Sequence, residues 1–236
     1  MDIGSEDWGR LIVEGARALG ADLGPPQTRL FAQHARELLQ WNRVTNLTSI
    51  TAPLEVALNH FVDSLAPARL IPSGARLIDV GSGGGFPGLP LHVAVPGLKT
   101  TLVDASRKKV SFLRHVIRTL GLEGIDAVHR RVEEFPAPAG GTGAGTIVVS
   151  RAFSAVAPFL RMTLPLIDRG GKLIALKGGI ADAEFAELEA DSARGVFGLP
   201  LCFERIDYRL PGLKACRTIL VATPARPAGG VETDGR

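Results

Sequence analysis

Over residues 1–72, apolar residues recur at helical spacing. Trp8, Leu11, Ile12 and Leu19 form a first stripe. Gly24-Pro25-Pro26 interrupts it, and Pro26 suits the first turn of a new helix. That second helix is expected from Gln27 to about Val44, with Leu30, Ala35, Leu38 and Trp41 along one side. Ala52-Pro53 opens a third, carrying Val56, His60 and Leu65, and Pro67 ends or kinks it.

After Pro72-Ser73-Gly74 the period changes. Short apolar runs bounded by Gly or Ser now alternate with amphipathic stretches. Strands are predicted at 76–80, 100–103, 125–129, 146–149 and 172–176. Helices are predicted near 87–95, at 107–120 with Val110, Leu113, Ile117 and Leu120 inward, and at 158–166 and 181–196. Segments 203–210 and 218–222 pair as a closing hairpin. The class is α/β: a doubly wound, mainly parallel seven-stranded sheet with an antiparallel C-terminal hairpin. The expected division is a helical extension at 1–72, a main domain at 73–223 and a tail at 224–236. Residues 136–145 (PAPAGGTGAG) and the tail lack apolar periodicity and are expected to be flexible.

Composition narrows the class. Of 236 residues, 45% are apolar and 22% charged, which is too apolar for a disordered chain. No apolar run reaches the ~18 to 20 residues of a membrane span. The acidic start (Asp2, Glu6, Asp7) is unlike a secretory leader. Cys202 and Cys216 lack zinc-site spacing and are expected to be buried apolar residues. A reducing cytoplasm follows as the default, with no metal and no membrane. The formal charge is +3, and arginines far outnumber lysines. Arginine forks suit phosphate and base edges, although a GC-rich genome yields the same composition.

The strongest chemical signal is Asp79-Val80-Gly81-Ser82-Gly83-Gly84-Gly85-Phe86-Pro87-Gly88, between a strand and a helix. Asp104 closes the next strand, where a carboxylate can accept from both ribose hydroxyls of a nucleoside. Residues 83–88 match the dinucleotide pattern G-x-G-x-x-G, so NAD and S-adenosylmethionine both fit this much. Charge favours the second. Asp79 would repel a diphosphate, whereas it attracts the ammonium of S-adenosylmethionine. Asp79 also suits a plain cap for the following turn.

The acceptor is narrowed by omission. Strand four runs into Ser150-Arg151-Ala152-Phe153, not the Asp/Asn-Pro-Pro-aromatic loop of exocyclic-amine methylation. Carbon methylation of a pyrimidine needs a cysteine nucleophile, and both cysteines lie late in the chain. A ring nitrogen such as guanine N7 needs alignment alone. Arg151 could then bind O6 or phosphate.

Together the motifs resemble the RsmG (GidB) family of bacterial methyltransferases. The likeness runs from about Leu38 to Ala222. It comprises Trp41-Asn42, Asn46-Leu47-Thr48, His60, Asp63-Ser64 and residues 78–88. It continues through Arg131-Val132-Glu133-Glu134-Phe135, residues 150–153 and Ala175-Leu176-Lys177-Gly178. Asn59 departs from it, standing where many relatives carry a charge. The resemblance implies a Rossmann-like class I methyltransferase that uses S-adenosyl-L-methionine on guanosine N7 of 16S rRNA, in the small ribosomal subunit or its precursor.

It also implies cofactor contacts at Gly81, Phe86, Val132, Glu133 and Arg151. Asp79, Gly83, Gly85 and Asp104 join them from the loop reading, and Arg151 is the candidate for positioning the substrate. Arg107, Lys108, Arg114, Arg118 and Lys177 are candidate RNA contacts. A small-molecule methyltransferase of the same fold and a non-catalytic nucleotide-binding assembly factor are the alternatives.

Overall fold

The computed structural model describes residues 1–135, 145–151, 153, 155–167, 170–213 and 216–225. The expectations of flexibility at 136–144 and 226–236 fall outside these.

Seven strands form one sheet in the order β3-β2-β1-β4-β5-β7-β6. They are β1 (Arg76–Val80), β2 (Lys99–Asp104), β3 (Ile125–His129), β4 (Thr146–Ser150), β5 (Lys172–Lys177), β6 (Leu201–Arg209) and β7 (Cys216–Pro224). β1 to β5 pair in parallel, and β7 enters antiparallel between β5 and β6. This is the doubly wound sheet with a closing hairpin that the alternating pattern predicts.

Alternation along each strand feeds two cores. Leu77, Leu102, Ile147, Val149 and Ile174 face one layer, together with Trp8, Ile12, Phe31, Leu38 and Phe61 of the N-terminal helices. Ile78, Val80, Val103, Val148 and Leu173 face the other, under Val156, Phe159, Leu160 and Leu188. The N-terminal helices therefore cover a sheet face; their apolar stripes exist because that face must be buried.

The first helix, α1 (Glu6–Ala18), is capped by Ser5, whose side chain accepts from the Trp8 amide. Next comes α2 (Pro25–Thr45), with proline in its first turn; it ends at Asn46 in the left-handed conformation. The third helical run differs from expectation. Its middle, Val56–Val62, is π-helical between short α-turns at Pro53–Glu55 and Asp63–Leu65. The Asp63 amide bonds to Leu58 carbonyl, five residues back.

Further helices span Gly88–Ala94, Arg107–Thr119, Val156–Thr163 and Asp182–Ala193. Among the described residues, no helix is long and apolar enough to cross a membrane.

One expectation is corrected: Cys202 and Cys216 are both exposed. Cys202 lies on β6, the sheet's edge strand, and Cys216 begins β7 beside the hairpin turn. One face of that edge meets solvent, so strand pairing there does not bury the side chain.

Candidate active site

The site forms at the carboxyl ends of β1, β2 and β4. Strand order reverses between β1 and β4, which leaves a crevice there. After β1 the chain turns sharply, and the Gly81 amide returns to Val103 carbonyl at 2.8 Å. Asp104 then pins the loop: Oδ2 accepts from the Gly83 amide at 2.9 Å, and Oδ1 from the Ser106 amide at 2.7 Å. Each oxygen keeps a further lone pair.

Asp79 lies on the same strand face as Leu77 and is wholly buried. Its Oδ2 accepts from the Gly88 amide at 2.9 Å, capping the Gly88–Ala94 helix. Only glycine fits at 88, since a Cβ there would lie 2.6 Å from Asp79 and from Leu102. The second oxygen, Oδ1, is buried without a partner among the described residues. Burial pushes the Asp79 carboxyl up to about 7.

Phe86, at the loop's end, stacks with two histidine rings. His34 lies 4.8 Å and His60 4.6 Å from it between ring centres, both within 15° of parallel. His34 Nε2–H donates to Gly84 carbonyl at 2.8 Å. Gly85 sits at φ 93°, where a side chain is strained, and a Cβ there would lie 3.3 Å from His34. Burial drops His34 to about 4. Burial, with Arg151 close by, drops His60 to about 3. Both rings are therefore neutral near pH 7.

Ser150 Oγ donates to Val80 carbonyl at 2.7 Å, tying the end of β4 to the end of β1. Arg151 follows. Its Nη1 donates to Asn59 carbonyl at 2.7 Å and approaches Asp63 Oδ2 at 3.4 Å. Nη2 faces His60 Nδ1 at 3.4 Å, and the guanidinium carbon lies 5.3 Å from the Phe86 ring centre. With Nδ1 accepting, His60 Nε2–H donates to Thr48 Oγ1 at 2.8 Å. Asp63 is buried and also receives Tyr208 Oη at 2.7 Å. Arg217 Nη2 donates to Asn59 Oδ1 at 2.7 Å.

These groups floor a cavity of about 710 Å³, walled by the 46–50 turn, Asn59, His60, Asp63, Arg151 and Arg217. The Asn42 side chain holds that turn: Oδ1 accepts from the Leu47 and Thr48 amides, and Nδ2 donates to Thr48 carbonyl.

The structure thus brings Phe86 and Arg151 together, and sets Asp79, Gly83 and Asp104 around one loop. Val132 is buried in the second core, and Glu133 is exposed in the short 3₁₀ turn Val132–Glu134 after β3. Of the candidate RNA contacts, Arg107, Lys108, Arg114 and Arg118 are exposed along one helix. Arg114 Nε is committed to Ala127 carbonyl at 2.9 Å. Lys177 ends β5, with Nζ 3.9 Å from Glu184.

Sequence reasoning missed His34, Tyr208 and Arg217. His34 was findable: it interrupts the apolar stripe of α2 between Leu30 and Leu38. The other two carry no local signal, because they reach the site only through the β6–β7 pairing.

The loop fits a cationic ligand better than a diphosphate. It carries the Asp104 carboxylate and the Asp79 carboxyl, about half ionised near pH 7, and Asp79 Oδ1 is buried without a partner among the described residues. S-adenosyl-L-methionine, with its ammonium and sulfonium, matches that charge.

Known proteins agree. The family model for GidB, described as rRNA small subunit methyltransferase G, matches residues 27–196. Ribosomal RNA small subunit methyltransferase G of Geobacter sulfurreducens is 44% identical over 213 residues, covering 89% of this chain and 95% of that protein. The Myxococcus xanthus protein of the same name is 40% identical over 215 residues, covering 89% and 94%. The solved structure of a SAM dependent methyltransferase from Aquifex aeolicus superposes with a TM-score of 0.50 at 15% identity, over 78% of this chain and 97% of that one. The fold is thus the Rossmann-like fold of such enzymes. The chain belongs to the GidB family, rRNA small subunit methyltransferase G, and its cofactor is S-adenosyl-L-methionine.

Proposed function

We propose that this protein transfers a methyl group from S-adenosyl-L-methionine to N7 of a guanosine in 16S rRNA, by direct in-line attack without a general base. Its setting is the cytoplasm, on the small ribosomal subunit or its precursor. The cofactor, when bound, supplies a methyl group activated by a sulfonium. Asp79, Gly81, Gly83, Gly85, Phe86, Asp104, Val132, Glu133 and Arg151 are the residues we assign to holding it. Residues 1–72 act as a helical extension to a catalytic domain at 73–223, followed by a tail at 224–236.

The observation that carries this reading is the state of the cavity's proton acceptors. His60 is pushed down to about 3 by burial and by Arg151, so it is neutral and a weak base near neutral pH. Asp63 is enclosed by Tyr208, Arg151 and Arg217. Guanine N7 needs no proton removed, because its lone pair is already available. Arg151 supplies a donor fork suited to O6, and its bonds to Asn59, Asp63 and His60 fix the fork's direction. Arg107, Lys108, Arg114, Arg118 and Lys177 would add sequence-independent attraction to RNA phosphates.

The test is methyl incorporation from labelled cofactor into 30S particles, free 16S rRNA and small-molecule acceptors. Label is expected in RNA, with strand cleavage by borohydride and aniline at one guanosine. Saturating incorporation without cleavage would refute N7. Label only in small molecules would refute the RNA substrate.

A further inference from the structure

A second, smaller recess of about 290 Å³ adjoins the acceptor cavity. The two share Asp63, Arg151 and Arg217, and Phe153 and Lys177 complete the smaller one's walls. Three cationic side chains converge on it. The facing carboxylates are Asp63, 1% exposed behind the guanidiniums, and Glu184, 3.9 Å from Lys177.

The two arginines are held as a pair. Asn59 and Asp63 lie four residues apart on the π-centred helix, and each contacts both. Asn59 takes Arg151 on its carbonyl and Arg217 on its side chain, each at 2.7 Å. Asp63 lies 3.4 Å from Arg151 Nη1 and 3.4 Å from Arg217 Nε. Tyr208 faces Arg217 directly across the β6–β7 ladder and bonds the same carboxylate. One carboxylate between two guanidiniums leaves a positive excess, and Arg217 Nε is buried without hydrogen-bond geometry to any described residue. That excess suits an anionic ligand.

We infer that this recess takes the phosphodiester of the acceptor nucleotide, gripped by Arg217 and Arg151, while the base of that nucleotide occupies the larger cavity. The forked donors of Arg217 match phosphate oxygens, and Arg151, which lines both spaces, joins phosphate and base in one grip. The inference rests on the proposed RNA substrate and adds where its backbone is held. Arg217 thereby binds substrate, and Asp63 and Tyr208 position it.

Phosphate-ethylation interference on 16S rRNA, read by retention on the intact protein, tests this. For the natural chain, ethylating a phosphate flanking the methylated nucleotide should weaken retention about tenfold or more. In Arg217→Ala that penalty should vanish while penalties elsewhere persist. The slope of log affinity against log salt should fall by about 0.7. Cofactor affinity, measured by calorimetry, should stay within about twofold.

Arg217→Lys keeps the cation if the alanine variant does not fold, and should show a reduced penalty at the same phosphate. Retained RNA with no sensitive phosphate there, or with unchanged sensitivity in both variants, overturns the subsite. Loss of cofactor affinity also overturns it, assigning the pair to the carboxylate of the cofactor. Failure of the natural chain to methylate any RNA is a different result and removes the underlying reading of function.

Discussion

Tyr208 Oη donates a 2.7 Å hydrogen bond to Oδ1 of Asp63, joining the edge strand of the sheet to the N-terminal helical layer. The carboxylate it meets is 1% exposed and also faces two arginines. The bond therefore connects the stability of the hairpin to the geometry of the acceptor cavity. Burial and Asp63 both push the Tyr208 hydroxyl well above the usual phenol range, so it remains a donor.

Tyr208→Phe removes that donor and keeps the ring. A hydrogen bond to a charged group is worth about 1.5 to 3 kcal/mol, and the stability loss in urea unfolding should fall there. Turnover on RNA should drop by more than cofactor affinity does, since Asp63 directs Arg151. Unchanged turnover and unfolding midpoint would show the contact to be incidental.

Three buried groups make stability depend on pH, with opposing signs. Asp79 titrates from 3.8 when unfolded to about 7 when folded. Its stabilising contribution is complete below about 4 and lost as pH rises through 7. His34 and His60 fall from 6.5 to about 4 and about 3. Their contribution is complete above 6.5 and lost as pH drops through those folded values. The two effects offset each other over a shared window. Asp79→Asn should therefore steepen acid destabilisation of the cofactor-free protein between about pH 7 and pH 4. Parallel unfolding curves for the two proteins over that range would contradict the assignment.

Gly88→Ala places a methyl 2.6 Å from Asp79 and Leu102. Overpacking of this kind costs about 1 to 3 kcal/mol. A lowered melting temperature is expected, together with weaker cofactor binding as the loop shifts. Gly178→Ala is the control, because no atom of the described residues lies within 4 Å of its added carbon. A change within about 0.5 kcal/mol is expected there.

Asp104→Asn keeps the shape of the side chain but turns one carboxylate oxygen into a donor facing an amide. The Gly83 or Ser106 contact must then be lost. Affinity for S-adenosyl-L-methionine should fall about tenfold or more, from charged hydrogen bonds worth about 1.5 to 3 kcal/mol. Titration calorimetry reads this directly, and an unaltered dissociation constant would remove Asp104 from the cofactor site.

Much of this protein was legible along the chain. Periodicity placed all seven strands and the helices between them, since a buried strand and an amphipathic helix each repeat over a few residues. The glycine loop was equally local: strand, tight turn and helix follow one another, and Asp79 and Gly88 meet within that one segment. The π-helical turn was not legible, because residues 53–65 carry an ordinary helical stripe whichever bonding the backbone adopts. The acceptor cavity was legible only in part. Arg151 and His60 lay in recognisable segments, but the neutral state of His60 depends on burial that no local run encodes. Tyr208, Arg217 and Asp63 meet only because β7 inserts between β5 and β6 and turns two cross-strand neighbours toward the helical layer. Local order is set by spacing along the backbone. A hydrogen bond between residues 145 apart in sequence exists only after folding has brought them within reach.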